Sequence, residues 1–199
     1  MNVSRRSLLV SGAGVALAAT LKPLNAFAAA EVAPDIMKRA LAALERHAAS
    51  IPHRDVIAIS NFSLPSRAPR FQIVDLASGR TTSYLVAHGR GSDPRHTGWL
   101  ERFSNAEGSH ATSEGAYRTE GIYVGAHGRS IRLQGLDASN NNALARAIVV
   151  HGAWYVSPEM ARTHGVLGRS EGCFALAEAS LPDVLNRLGP GRLIYADKV

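Results

Sequence analysis

Cysteine is nearly absent from this sequence: among its 199 residues there is one, Cys173. A single cysteine excludes an internal disulfide framework and any zinc site built on several cysteines. Charged residues are also scarce, at 19%, against 46% hydrophobic residues. This composition excludes a disordered chain or a coiled coil, and the length favours one globular domain.

A long hydrophobic run is missing as well. The uncharged segment from Leu8 to Leu21 is shorter than the roughly 20 residues that span a bilayer. Arg5 and Arg6 precede it, and the small-x-small triplet at positions 26–28 follows. This order predicts that residues 1–28 form a cleaved secretory signal of the twin-arginine type, with an ordinary Sec signal and a membrane anchor as alternatives. We therefore expect export to the periplasm or cell envelope, with no stable membrane insertion after cleavage.

Half of the excess positive charge is lost with that signal. Its removal takes away Arg5, Arg6 and Lys22 and no acid, which lowers the formal net charge from +6 to +3. No run of lysines remains in residues 29–199. The remaining charge is too small and too scattered to predict a nucleic-acid partner.

The remaining pattern predicts a mainly β domain with one helix near each end. Apolar residues recur at helical spacing over 34–49, and a second helix is predicted from Ser180 to Gly189. A loop rich in Gly, Ser, Asp, Asn and His runs from Gly89 to Gly115, and a loop of that length is usually functional or disordered. Residues 29–55 are assigned to the first helix and its lead-in, and residues 56–199 to the β domain. Short β-like runs are predicted at 56–59, 71–74, 81–87, 117–119, 122–124, 131–134, 147–151 and 193–195.

Cys173 is the leading candidate for a nucleophile, although a lone cysteine is often only a small buried residue. It follows Gly168, Ser170 and Gly172 in a segment that can turn tightly and aim backbone N–H groups at one point. A thiol nucleophile needs a base, usually histidine. His151 ends an apolar run 22 residues earlier, so a buried strand would deliver it to the site.

Three other histidines, His110, His127 and His164, leave a metal hydrolase open as an alternative. No His-x-x-x-His pair and no carboxylate at ligand spacing supports that alternative. We therefore predict neither a metal nor a cofactor.

His151-Gly152, a spacer, and Ser170-Glu171-Gly172-Cys173 together resemble the signature of YkuD-like L,D-transpeptidases. The segments 110–119, 133–137 and 151–157 also resemble the murein L,D-transpeptidase catalytic domain. The resemblance extends from about residue 60 to 195. Two positions differ from many family members: Ala175 replaces an arginine, and Glu171 replaces a histidine or arginine.

The resemblance implies a single YkuD-like β-sandwich or barrel that acts on peptidoglycan tetrapeptide stems. Cys173 would be the nucleophile and His151 its base, and a backbone carbonyl would hold the other ring nitrogen of His151. The N–H groups of Gly172 and Cys173 would stabilise the oxyanion. Candidate substrate-binding residues, each with a purely structural alternative, are Ser170, Arg169, Trp154 and Tyr117, and His164 and Glu171 could tune the charge of the thiol.

Several functions remain open on the same residues. Acceptor choice would separate a transpeptidase from an L,D-carboxypeptidase or a peptidoglycan–lipoprotein hydrolase. A non-catalytic wall-binding module would not need Cys173. Other cysteine peptidase folds usually place the cysteine before the histidine, opposite to the order here. The expected partners are stem peptides, and the sequence does not predict an oligomeric state.

Overall fold

The computed structural model describes residues 31–199, so the predicted signal peptide lies outside the described residues. None of the helices in residues 31–199 is long and apolar enough to cross a membrane. The helices are α1 (Pro34–Arg46), α2 (Pro158–His164) and α3 (Leu181–Leu188). The strands are β1 (Val56–Asn61), β2 (Phe71–Asp75), β3 (Thr81–Tyr84), β4 (Val86–Ala87), β5 (Gly115–Gly125), β6 (Gly128–Gly135), β7 (Val149–Gly152), β8 (Phe174–Leu176) and β9 (Leu193–Asp197).

The nine strands form one sheet in the order β3-β2-β1-β9-β5-β6-β7-β8-β4. Neighbours are antiparallel except for the pairs β1–β9 and β7–β8, which are parallel. Only Leu85 separates β3 from β4, yet these strands lie at opposite ends of the sheet. The sheet must therefore curl until its two edges meet, as in a barrel, and the predicted mainly β architecture is confirmed.

Hydrophobic burial on both faces of the central strands holds the helices in place. Ile57 and Ile59 of β1 face the apolar side of α1, whereas Ala58 faces the opposite core under α3. β9 alternates in the same way, with Leu193 and Ile194 on opposite faces. This alternation follows from the two-residue period of a strand. The last strand of the chain therefore lies in the middle of the sheet, between β1 and β5.

The helices predicted near each end are present, but the sequence reading missed α2. This helix begins after Ser157, whose hydroxyl accepts a hydrogen bond from the Met160 N–H. It lies in the connection between the parallel strands β7 and β8, which need a crossover rather than a tight turn. The two runs predicted at 117–119 and 122–124 form one strand, β5, with an irregularity between Thr119 and Ile122.

The predicted long loop contains only a short 3-10 turn between β4 and β5, and a buried polar network anchors its start. His88 lies between Arg70 and Asp93, with His88 Nδ1 at 2.7 Å from Arg70 Nη2 and Nε2 at 3.4 Å from Asp93 Oδ2. Arginine can only donate, so Nδ1 accepts and Nε2 carries the proton. The His88 carbonyl accepts a 2.9 Å bond from the Ser170 N–H, which links this network to the segment that carries Cys173.

Acid should destabilise the fold through His88. Burial, with the neighbouring Arg70 charge, lowers its pKa from 6.5 to about 3. Between these values the unfolded chain binds a proton that the folded chain does not, so stability falls as pH falls below 6.5. We expect this group to remove about 2 kcal/mol of stability between pH 6.5 and pH 5.

Denaturant unfolding at several pH values tests this expectation. The His88→Gln variant should lose less stability than the parent over that interval, whatever its stability at neutral pH. His164→Gln, at an exposed position on α2, serves as the matched control. Equal pH slopes for parent and His88→Gln would contradict the prediction.

Candidate active site

Two adjacent parallel strands bring Cys173 and His151 to one part of the sheet. In the β7–β8 register His151 lies opposite Ala175, and Val150 lies opposite Phe174. Cys173 immediately precedes β8, so it lies level with Val149, two residues before His151. Alternate residues of a strand share a face, which places the thiol and the imidazole on the same side of the sheet.

The structure favours the neutral form of the His151 imidazole. Its side chain is buried, and Nδ1 lies 2.9 Å from the Gly152 carbonyl. A carbonyl can only accept, so Nδ1 carries the proton and Nε2 is the acceptor. The implied backbone carbonyl partner is therefore confirmed as Gly152. Burial lowers the pKa of His151, and the His127 ring, stacked on it at 4.4 Å, lowers it further.

The Cys173 thiol lies in a desolvated position that keeps it protonated at rest. Desolvation raises its pKa above the ordinary 9.0, and the Glu171 carboxylate acts in the same direction. A hydrogen bond from the Val149 backbone and the charge of Arg146 oppose this rise. The thiol contacts the Ala147 carbonyl at 3.6 Å, and Ala147 has a φ of 52°, a conformation that non-glycine residues rarely adopt. The resting pair is thus a thiol and a neutral imidazole.

The turn that presents the thiol is held by its own hydrogen bonds and by close backbone packing. The Ser170 hydroxyl donates to the Cys173 carbonyl at 2.7 Å and accepts from the Gly172 N–H at 3.2 Å. Gly172 has a φ of +118°, and a Cβ there would lie 2.8 Å from the Ala111 carbonyl oxygen. At Gly89 a Cβ would lie 2.7 Å from Gly172 N. Both positions therefore require glycine so that the loop before β5 can close on the turn.

The sequence of residues 28–196 matches the family model described as the L,D-transpeptidase catalytic domain, of YkuD type. The chain belongs to this family. Comparison with curated proteins gives no match.

Solved structures similar to this L,D-transpeptidase domain share little sequence with it. The helical cell shape determining protein Pgp2 from Campylobacter jejuni is 14% identical, with a TM-score of 0.44 over 72% of this chain and 47% of that chain. An L,D-transpeptidase from Mycobacterium smegmatis is 12% identical, with a TM-score of 0.43 over 72% and 58%. One from Xylanimonas cellulosilytica is 13% identical, with a TM-score of 0.41 over 80% and 69%. The chain spans less than two thirds of the length of the first two proteins.

The predicted substrate-binding residues of the L,D-transpeptidase domain differ in their exposure to solvent. The assignment of Tyr117 to a groove was wrong: it is fully buried, stacks edge-on against Phe174 at 5.4 Å and donates its hydroxyl to the Ser113 carbonyl. Ser170 is also buried, and its hydrogen bonds within the turn make it a positioning residue rather than a substrate contact. Trp154, by contrast, is 75% exposed beside a shallow pocket after β7.

Other predicted polar residues fall on one side of the turn. Arg169 lines a pocket together with His110. Glu171 pairs with Arg90 at 2.8 Å and also with His110. The Gly172 N–H already donates a hydrogen bond to Ser170 Oγ within the turn. Of the two predicted oxyanion donors, the Cys173 N–H is therefore the better candidate. Residues 31–199 contain no group of three or more His, Cys, Asp or Glu side chains placed to hold a metal.

Sequence reasoning missed Arg146 and Tyr155. The charge of Arg146 lowers the pKa of Cys173, and a Cβ on Gly172 would lie 3.2 Å from Arg146 Nη2. Burial, with the charges of Cys173 and Glu171, raises the pKa of Tyr155 to about 12. No spacing in the sequence predicts a role for either residue, because only the tertiary fold brings each of them close enough to interact electrostatically with Cys173. The Arg146 guanidinium is fixed by four oxygen acceptors, namely Ser104 O, Ala111 O, Ser109 Oγ and Ser113 Oγ.

The stacked histidine pair predicts a measurable shift. His151 should titrate below 6.5, and His127→Ala should raise its pKa, because the variant removes a neighbouring positive charge and admits water to the ring. Imidazole NMR titration reads this pKa without any substrate. His164→Ala is the control, and an unchanged or lower pKa of His151 in the His127→Ala protein would contradict the assignment.

Proposed function

We propose that this protein is an exported cysteine L,D-transpeptidase that remodels or cross-links peptidoglycan through tetrapeptide stems. The observation that carries the proposal is the placement of Cys173 and neutral His151 on one face of the β7–β8 pair. Membership of the L,D-transpeptidase family supplies the reaction class. The substrate would be the bond between meso-diaminopimelate and the terminal D-alanine of the stem.

Acylation begins with proton transfer from Cys173 Sγ to His151 Nε2. The sulfur then bonds to the carbonyl carbon, and the carbonyl oxygen takes the negative charge that the Cys173 N–H stabilises. Collapse of this intermediate breaks the C–N bond. The D-alanine amine leaves with the proton from His151, and a thioester remains on Cys173.

Deacylation reverses the roles. An amine of a second stem attacks the thioester carbon and transfers a proton to His151 Nε2. The C–S bond breaks, and the thiolate regains its proton from His151. Water in place of the amine would give a carboxypeptidase, and acceptor choice is therefore set by what reaches the thioester rather than by the Cys–His pair.

Incubation of tetrapeptide muropeptides with the protein, followed by mass spectrometry, tests the activity. We expect cross-linked dimers that have lost D-alanine, and at least a 1,000-fold decrease with Cys173→Ala, since the nucleophile is removed. His151→Gln should decrease the rate of acylation by at least 100-fold. His53→Gln, at an exposed position, is the matched control for the histidine substitution.

The products distinguish the alternatives. Tripeptide monomers without dimers would replace the transpeptidase proposal with the carboxypeptidase one. Unchanged muropeptides, with a folded protein and no thioester adduct, would contradict catalysis and favour a wall-binding module.

Export to the periplasm is part of the proposal, and the twin arginines at positions 5 and 6 support it. Replacement of both arginines by lysine should retain the protein in the cytoplasm, because the twin-arginine pathway requires that pair. Cell fractionation of the full chain measures this. Unchanged export of the lysine variant would indicate the Sec pathway, and a parent protein found only in the cytoplasm would contradict export.

A further inference from the structure

A pocket of about 330 Å³ lies beside the turn of residues 168–173 that presents Cys173, here called the nucleophile turn. The loop before β5 forms the other side of this pocket. Three arginines line it: Arg90, Arg102 and Arg169. His110 and Ser109 complete much of the wall. No residue of this pocket belongs to the Cys–His pair, so it requires a separate explanation.

The pocket is physically continuous with the turn that carries Cys173. Arg169 precedes Ser170, whose carbonyl accepts a 2.7 Å bond from the Arg90 N–H. On the opposite wall, the His110 carbonyl accepts a 2.9 Å bond from the Gly91 N–H. His110 has a φ of 52°, which is strained for a residue with a side chain. A ligand in this pocket would therefore contact the same loops that hold the nucleophile.

Two of the three guanidinium groups are fixed by neutral acceptors. Arg102 Nε donates to the Gly91 carbonyl at 3.0 Å, and Arg169 Nη1 donates to the Asp93 carbonyl at 2.5 Å. Within residues 31–199, no carboxylate lies within ion-pair distance of Arg102 or Arg169. Their positive charges are held in place without being neutralised.

Among the described residues, one carboxylate, that of Glu171, pairs with the remaining charged groups of the pocket. Glu171 pairs with Arg90 at 2.8 Å and also contacts His110. Three guanidinium groups therefore face a single acid, which leaves a net charge of about +2 in a pocket sized for one small group. Planar guanidinium groups match a carboxylate through paired N–H···O bonds.

We propose that this pocket binds a free carboxylate of the donor stem peptide and thereby places the scissile carbonyl at Cys173. The inference rests on the proposed function, since it takes the stem peptide as substrate. Arg102 and Arg169 form the anion-binding subsite. Because hydrogen bonds already orient both guanidinium groups, less side-chain entropy is lost when the carboxylate binds. Arg90 is partly neutralised by Glu171 and contributes less.

Binding measured on the Cys173→Ala protein tests the subsite apart from turnover. The probes are a tetrapeptide ending in meso-diaminopimelate–D-alanine and the same peptide with both of these carboxylates amidated. By calorimetry, we expect the amidated peptide to bind at least 10-fold more weakly. Arg102→Gln combined with Arg169→Gln should abolish this discrimination, whereas Arg129→Gln, an exposed arginine on β6, should preserve it. Two singly amidated peptides then identify which carboxylate is bound.

Four results would overturn the subsite. One is equal binding of the acid and amidated peptides, a second is no binding of either, and a third is full discrimination in the double variant. Inorganic phosphate that competes equally with both peptides would also overturn it, because the pocket would then be a general anion site. The single variants Arg102→Gln and Arg169→Gln repeat the test if the double variant is unfolded.

Kinetics with Cys173 present separate this inference from the proposed function. The double variant should raise KM about 10-fold with kcat less affected, because the subsite acts mainly in substrate binding. Discrimination by the Cys173→Ala protein without turnover by the parent would contradict the proposed reaction but not the subsite. Turnover with a KM unaffected by the double variant would contradict the subsite but not the reaction.

Discussion

Parallel pairing of β7 with β8 is the constraint on which the rest of the site depends. A parallel pair needs a crossover, and the connection containing α2 provides it. The 21 residues between His151 and Cys173 are therefore a crossover connection and not an arbitrary spacer. Both strands are buried, so their register is set by packing, and the positions of thiol and imidazole follow from it.

Burial also determines the charge state of the pair. It raises the pKa of Cys173 and lowers the pKa of His151, because in both cases the charged form is disfavoured. Arg146 is the cation that opposes this effect at the thiol, and Glu171 reinforces it. A neutral pair suits a reaction in which the proton moves only when the carbonyl is in place. The environment of the thiol is thus built both by Glu171, close to it in sequence, and by Arg146, which is distant in sequence.

The loop between β4 and β5 has two roles that its composition does not predict: it packs against the turn before Cys173, and it lines the arginine pocket. Its start is anchored by the buried His88 network, and its end supplies the Ala111 carbonyl that lies against Gly172. Between them it forms one wall of the arginine pocket. A segment of small and polar residues can do this because its backbone groups bond to the nucleophile turn and need no strand partner.

The sequence by itself determined the mainly β class and the family, and it predicted the Cys–His pair, because periodicity and a short motif are local properties. It predicted a strand over residues 147–151 and a turn before Cys173, and the observed β7 covers Val149–Gly152, so the strand is shifted by one to two residues. The burial of Tyr117, the internal role of Ser170 and the approach of Arg146 to the thiol were decided only by the tertiary structure. Each depends on contacts between segments distant in the chain, and one residue type fits a groove or a core equally well until packing assigns it a face.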